Sequence, residues 1–201
     1  MVATARSSAR DRLLGTAETV LFRRGIRATP VDDLLREAQV SAATLYAHFG
    51  SKDGLVAEVL RTRLAEWRAV WDECVVAAGD DVGRLLAVFD ALDAYRASRG
   101  TPARWCAFLA TATELPDAGV EIASVLAEDT ALLTGRLVHL AHPLAGDGAQ
   151  ELADQVLVAY DGTLAGFLRG SPAAPIAVGR RVAEAAVRAV LTERESQPDV
   201  R

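Results

Sequence analysis

The chain has 201 residues, of which 51% are hydrophobic and 5% aromatic, with a formal net charge of −5. This length is enough for one large domain or two small ones with a sizeable core. Two widely separated cysteines, Cys74 and Cys106, exclude a disulfide-rich scaffold and favour a reducing compartment. Neither a signal-peptide core nor a run of roughly 18 to 20 apolar residues is present, so we expect a cytoplasmic protein without a membrane partner.

The charge is unevenly distributed along the chain. Residues 1–64 carry 10 basic and 7 acidic side chains, whereas the remaining residues carry 12 and 20. A positive segment within an acidic protein is the natural place for contact with a polyanion such as nucleic acid. This segment is therefore the part of the chain in which we expect a nucleic-acid interface.

Helical periodicity extends through the whole sequence. Apolar residues recur three and four positions apart, and strand-like alternation is absent. We predict an all-α protein of about nine helices, the first extending from about Arg10 to Arg24 and ending at Gly25. A short second helix follows, with Thr29 as its N-cap and Pro30 as its first residue.

The next short helix has the features of a helix that reads DNA. Ser41 is its N-cap, and Leu45 and Phe49 share one face that can anchor it to a core. Small residues at its start would let it enter a major groove about 12 Å wide. The side chains left outside are Ala42, Ala43, Thr44, Tyr46 and His48. Capped two-helix turns also occur in many other helical proteins, so spacing alone leaves this function open.

A long helix begins directly afterwards. Ser51 is its N-cap, and its first N–H groups together with Lys52 form a phosphate site. The apolar period continues to about Ala78, which corresponds to about 40 Å of helix. Further helices are expected over residues 82–95, 103–114, 119–142, 148–168 and 175–195, with Pro143 ending the third of these.

The run GIRATPVDDLLREAQVSAATLYAHFGSKDGL, residues 25–55, resembles the DNA-binding domain of TetR-family transcriptional regulators. The resemblance covers about the first 65 residues. It implies a helix-turn-helix domain over residues 1–50 and an effector-binding and dimerisation domain over 51–201, joined by the long helix. Contacts to the DNA backbone are implied for Thr29, Tyr46, His48 and Lys52, and positions facing the bases for Ser41, Ala42, Ala43 and Thr44.

The sequence departs from the family pattern at two places. Gln39 occupies the position of the usual turn glycine, where a positive φ would cost about 1 kcal/mol. Ala42 and Ala43 replace a commoner Lys-Gly pair and leave no long polar side chain at the groove. Base specificity is then expected to depend on Thr44, on DNA shape, and on Arg27 or Arg36, although both arginines fit solvated helix charges better.

Two stripes on the last two helices suit a four-helix dimer interface. Small residues among them allow close helix approach, but the stripes could equally face the core of their own subunit. The resemblance implies the homodimer, with an interface that includes Val156, Tyr160, Thr163, Phe167, Val182, Ala186 and Ala189. Two identical heads predict a palindromic operator with half-sites about 34 to 36 Å apart or a multiple of that.

The resemblance also implies a pocket for a small-molecule effector in the helical bundle. Residues that could line it are Trp67, Trp71, Phe89, Trp105, Cys106 and Phe108, with plain core packing as the alternative. We expect a neutral or cationic apolar effector, with Glu114 or Asp90 available to meet a positive charge.

Signatures of catalysis and of metal or cofactor binding are absent from the sequence. It contains neither G-x-S-x-G nor a phosphate-binding glycine loop, and His139 and His142 lack a third metal ligand at suitable spacing. The sequence therefore predicts a homodimeric transcriptional regulator, a repressor that a small apolar effector releases from DNA. The alternatives are a regulator whose bundle only dimerises or recruits proteins, and a helical enzyme.

Overall fold

The structure, a computed structural model, describes residues 8–99 and 106–196. Within these residues the chain forms nine α-helices, one 3₁₀ helix and no strand, which confirms the all-α prediction. The α-helices are α1 (Ala9–Arg24), α2 (Val31–Ala38), α3 (Ala42–Phe49), α4 (Lys52–Ala77), α5 (Asp81–Ser98), α6 (Ala107–Glu114), α7 (Val120–Ala145), α8 (Ala149–Arg169) and α9 (Pro175–Ser196).

The helices belong to two compact units. The head unit contains residues 8–64 and 106–128, and the bundle unit contains 65–99 and 129–196. The predicted boundary at residue 50 differs from this division because the start of α4 is part of the head. Leu55, Val56 and Leu60 of α4 are fully buried, and α6 joins the head through hydrogen bonds described below.

In the head unit, α1 packs against α2 and α3. The fully buried leucines of this core come from all three helices and from α4, and they include Leu13, Leu34, Leu45 and Leu55. Burial of such a side chain contributes about 1.5 to 3 kcal/mol. The apolar period recognised in the sequence is therefore the face that holds these four helices together.

Two predicted helix ends are wrong. Thr29 does not cap α2, because its hydroxyl donates to the carbonyl oxygen of Gly25 at 2.6 Å and Pro30 takes the N-cap position. Pro143 does not end α7, which continues to Ala145. Proline in the last turn removes one hydrogen bond without forbidding the helical backbone beyond it.

In the bundle unit, α8 and α9 pack along each other and α5 packs against both. Gly179 permits the close approach of α9 to α8, because a Cβ there would lie 1.9 Å from the hydroxyl oxygen of Thr163. Arg180 of α9 donates to both carboxylate oxygens of Asp90 on α5 at 2.8 and 2.7 Å. Among the described residues, no helix is long and apolar enough to cross a membrane.

The turn between α2 and α3 requires a left-handed residue. Gln39 has φ 54° and ψ 49°, as expected from its replacement of the family glycine.

We predict that Gln39→Gly raises the free energy of unfolding by about 1 kcal/mol, because glycine adopts this conformation without the steric penalty of a Cβ atom. Urea denaturation measures this. Gln39→Ala is the control and should bring no gain; equal stability of the two variants would contradict the prediction.

Asp129 of α7 is a half-buried acid of the bundle unit. Burial, followed by the nearby Asp161, raises the pKa of Asp129 to about 6. Because the folded pKa exceeds the unfolded value of about 3.9, the contribution of Asp129 to stability is fully present below about pH 4 and is lost as pH rises through about 6. We predict that Asp129→Asn stabilises the protein by about 1 to 3 kcal/mol at pH 8 and leaves it unchanged at pH 4. The exposed Asp93 of α5 provides the control, Asp93→Asn. A gain at pH 8 no larger than that of the control would contradict this.

Candidate nucleic-acid interface

Helix α3 is held in the head unit by one apolar face. Leu45 is fully buried and Phe49 is 8% exposed, and the guanidinium of Arg10 lies 5.4 Å from the centre of the Phe49 ring. Ser41 caps the helix by accepting a hydrogen bond from the N–H of Thr44. The opposite face of α3 has no other element to pack against within the helix-turn-helix, because α1 and α2 lie on its buried side.

The outward face of α3 is lined by small residues. Ala42, Ala43, Ala47 and His48 are exposed and Thr44 is half-buried. Tyr46 is 61% exposed. Tyr46 and His48 are two positions apart, which places them about 200° from each other around the helix axis. Their polar ends therefore flank a central strip of small side chains.

Ala47 belongs to this strip and was missed by the sequence interpretation. It lies four residues after Ala43, so the two side chains occupy one face about 6 Å apart along the axis. That spacing was the signal that could have identified it. Its exposure in the structure extends the small-residue strip over about one full turn of the helix.

Two predicted DNA contacts have other partners. The Thr29 side chain is only 1% exposed, so it lies beneath the surface and stabilises the connection between α1 and α2. The ammonium of Lys52 donates to the carbonyl oxygens of Ile26 at 2.5 Å and Thr29 at 2.6 Å. Burial lowers the pKa of Lys52, against the opposing effects of Asp53 and Glu114. Two of its three N–H donors are thus used inside the protein.

Glu114, at the end of α6, binds the same connection. Its carboxylate accepts hydrogen bonds from the backbone N–H groups of Ile26 at 3.0 Å and Arg27 at 2.6 Å. The sequence interpretation places Glu114 beside an effector in the bundle, and this arrangement corrects it, because the carboxylate is engaged in the head unit. Residues 26–29 are therefore held by a carboxylate from α6 and an ammonium from α4, and we call this arrangement the clamp. Glu114 lies 88 positions from Ile26 and 87 positions from Arg27 in the sequence.

The arginines considered for base reading differ in their surroundings. Arg36 forms an ion pair with Asp33 one turn earlier at 2.6 Å, which fits the interpretation as a solvated helix charge. Arg27 is exposed and contributes only its backbone N–H to the contact with Glu114. Arg12 of α1 donates to the carbonyl oxygens of Ala38 and Gln39, each at 3.4 Å, and so supports the turn.

The residues predicted to line an effector pocket do not form one group. Trp67, Trp71 and Phe89 are buried in the bundle unit, where the rings of Trp67 and Trp71 lie 5.6 Å apart. Cys106 and Phe108 belong to the head unit, and Trp105 lies outside the described residues. The carboxylate of Asp90, proposed to meet a cationic ligand, is paired with Arg180.

The predicted dimer residues also fall into two groups. Val156, Tyr160 and Thr163 are buried inside the bundle unit, because their side of α8 packs against α5 and α9. Phe167 lies beneath the guanidinium of Arg96, 3.5 Å from its ring centre. The other predicted residues of α9 lie on or near the surface, since Val182 is 56% exposed, Ala189 is exposed and Ala186 is half-buried.

In the part of the chain that the structure describes, no group of three or more His, Cys, Asp or Glu side chains could hold a metal ion. The head unit thus offers one clear chemical surface, the outward side of α3 with the start of α4 beside it. A short helix that is anchored by its inner face and exposed on its outer one, after a tight turn from another helix, defines a helix-turn-helix domain of the kind that reads duplex DNA.

Comparisons with known proteins agree with this class. Residues 13–59 match the family model described as "Bacterial regulatory proteins, tetR family". The HTH-type transcriptional repressor KstR2 of Rhodococcus jostii is 36% identical over 93 residues, covering 44% of this chain and 46% of that protein. The chain thus spans about half the length of the curated relatives it matches.

Solved structures extend the similarity to nearly the whole chain. SCO4454, a TetR-family transcriptional regulator from Streptomyces coelicolor, superposes with a TM-score of 0.82 at 28% identity, covering 91% of this chain and 96% of that one. A putative regulator of the same kind from Streptomyces avermitilis has a TM-score of 0.75 at 26% identity, with 92% and 98% covered. The helix-turn-helix part of the chain is similar in sequence to TetR-family transcriptional regulators, and nearly the whole chain is similar to them in fold. The matched proteins are transcriptional regulators, which is the class of protein that the sequence predicts.

The clamp on residues 26–29 leads to a prediction about stability. Glu114→Gln should lower the free energy of unfolding by about 1 to 2 kcal/mol, since each carboxylate oxygen accepts from one N–H group and glutamine replaces one of these oxygens by an NH2 group, which cannot accept. Thermal or urea unfolding measures this effect. Asp117→Asn is the matched control, because Asp117 is an exposed acid in the connection that follows α6. Equal stability of the two variants would contradict the role assigned to Glu114.

Proposed function

We propose that this protein is a DNA-binding repressor that acts as a homodimer and inserts α3 into the major groove of a palindromic operator. The observation that carries this proposal is the exposed strip Ala43–Thr44–Ala47 on a helix whose other face is fixed by Leu45 and Phe49. Small side chains let the helix backbone approach the base edges closely. KstR2, a relative, is named as a repressor, which supports the direction of regulation.

The groups beside this strip suit the phosphates that border a major groove. Tyr46 and His48 flank α3 on opposite sides, so each can donate to one of the two DNA backbones. The third N–H of Lys52 and the N-terminus of α4 offer further donors and a favourable dipole for an anion. Contacts of this kind fix the position of the helix but carry no sequence information.

A single-atom change tests the phosphate role of Tyr46. We expect Tyr46→Phe to weaken binding by about 5- to 10-fold on operator and unrelated duplexes alike, because one hydrogen bond to a charged oxygen is lost. Fluorescence anisotropy on operator fragments selected from genomic DNA measures this. The matched control Val76→Ala changes an exposed residue of α4 in the bundle unit and should leave affinity unchanged. Selective weakening on the operator alone would contradict a phosphate contact.

The dimer interface proposed here uses the outward side of α8 and α9. Val158 and Val182 are 71% and 56% exposed, and together with Ala186 they line the groove between these helices. Exposed Gly162 and Ala189 extend the small-residue surface. Such a surface permits close packing against the same helices of a second copy, as a two-fold axis requires.

A charge placed on this surface should separate the subunits. We expect Val182→Glu to be monomeric at micromolar concentration, since two carboxylates would be buried near a two-fold axis. Sedimentation velocity measures the oligomeric state, and loss of tight operator binding should accompany dissociation. Val76→Glu introduces the same charge at a more exposed valine, 86%, and should remain dimeric. A dimeric Val182→Glu would exclude this interface.

The effector site proposed here lies in the bundle unit, around Trp67, Trp71 and Phe89. Trp71 is fully buried, and its indole N–H has no hydrogen-bond partner in the described structure. An unsatisfied buried donor costs about 1 to 3 kcal/mol, which a ligand with an acceptor oxygen would recover. The alternative is a bundle that only dimerises or recruits proteins. The cytoplasmic location also remains a prediction.

Release from DNA would follow if the effector favours one position of α4, since this helix contributes residues to both units. An effector shifts such an equilibrium only through its different affinities for the two arrangements. Glu114 is assigned no part in binding the effector, because its carboxylate is engaged in the head unit.

A further inference from the structure

The chemistry of α3 restricts which base edges it can read. Residues 42–49 contain no Arg, Lys, Asn, Gln, Asp or Glu. Arg and Lys are the usual bidentate readers of guanine, Asn and Gln read adenine, and Asp and Glu accept from cytosine. The side chains that most often distinguish these three bases by hydrogen bonds are therefore missing from the helix.

The hydroxyl groups at the start of α3 are directed towards each other. The oxygens of Ser41 and Thr44 lie 3.1 Å apart, and the Ser41 oxygen also accepts from the N–H of Thr44 at 3.3 Å. One of the two hydroxyl protons is used within this pair. Hydrogen-bond reading by these residues is thereby reduced to the remaining proton and the oxygen lone pairs.

What the outward face presents instead is the exposed methyl groups of Ala43 and Ala47. Ala43 and Ala47 stand one turn apart, and Thr44 lies beside Ala43 with its own γ-methyl group. The hydrogen bond between the hydroxyls of Thr44 and Ser41 favours the Thr44 rotamer in which the oxygen, and not the methyl, lies against Ser41. The apolar partner available in a major groove is the C5-methyl of thymine.

We propose that this protein distinguishes its operator chiefly by thymine C5-methyl groups that pack against Ala43, Thr44 and Ala47. The inference rests on the proposed insertion of α3 into the major groove and specifies what α3 reads there. It predicts operator half-sites with thymines at the positions facing α3. The proposed recognition involves no bidentate hydrogen bonds from α3 to guanine or adenine.

The methyl groups can be removed from the DNA without altering hydrogen bonding. In a selected operator, each thymine is replaced in turn by deoxyuridine, which lacks only the C5-methyl. We expect about 3- to 10-fold weaker binding at the one to three thymines of each half-site that face α3, since burying one methyl contributes roughly a fourfold change in affinity. Substitution outside these positions serves as the control and should have no effect.

Placing the methyl group on a different base distinguishes methyl packing from hydrogen bonding to thymine. At a thymine that responds to deoxyuridine, a C·G pair should bind weakly, and 5-methylcytosine at the same place should recover part of the affinity. The methyl of 5-methylcytosine occupies the same groove position as that of thymine. Failure of 5-methylcytosine to improve on cytosine would count against methyl recognition.

Variants of Thr44 complete the experiment. Thr44→Ser removes the γ-methyl and keeps the hydroxyl, so it should reduce the difference between thymine and deoxyuridine operators. Thr44→Val keeps the methyl and should preserve that difference. Thr113→Ser is the matched control, because Thr113 is an exposed threonine of α6.

The outcomes separate this inference from the proposed function. Selective operator binding that is indifferent to deoxyuridine at every position would overturn methyl recognition and leave the repressor proposal intact. Absence of selective binding to any duplex would refute the proposed function, and the inference would be refuted with it.

Discussion

Burial of Leu45 and Phe49 is the constraint on which the head unit depends. These two side chains lie one turn apart on a helix of only eight residues, so they fix both its attachment and its rotation about its own axis. Rotation by a single residue would turn the helix by about 100° and bring Thr44 and His48, or Tyr46, against the core. The positions of the large apolar residues in α3 therefore determine which of its other side chains are exposed.

The orientation of this helix depends in turn on the connection between α1 and α2. Glu114 and Lys52 hold residues 26–29 through four hydrogen bonds to the backbone. The Glu114 carboxylate accepts hydrogen bonds from backbone N–H groups, and the Lys52 ammonium donates to backbone carbonyl oxygens. Without these two side chains, the polar backbone groups of the short connection would lack these partners. A segment that belongs to α6 in sequence is thereby part of the DNA-binding head, which is why the compact unit includes residues 106–128.

Local signals in the sequence were sufficient for the helices and for most of α3. Ser41, Leu45 and Phe49 act within one or two turns, so propensity and periodicity predict their roles correctly. The clamp could not be predicted, because Glu114 is 87 residues from its partner Arg27 and no local pattern marks such a pair. The stripe on α8 was assigned to a dimer interface for a related reason. Periodicity identifies a buried face but not the element that covers it, and here Val156 and Tyr160 face their own unit.

The central claim is that the face of α3 opposite Leu45 and Phe49 lies against DNA. Alkylation of Ala47→Cys, in a chain where Cys74 and Cys106 are replaced by serine, measures access to that face with and without a saturating selected operator. The account predicts rapid alkylation of the unbound protein and protection of at least tenfold in the complex. An alkylation rate that is the same in both states, with the operator bound, would contradict it.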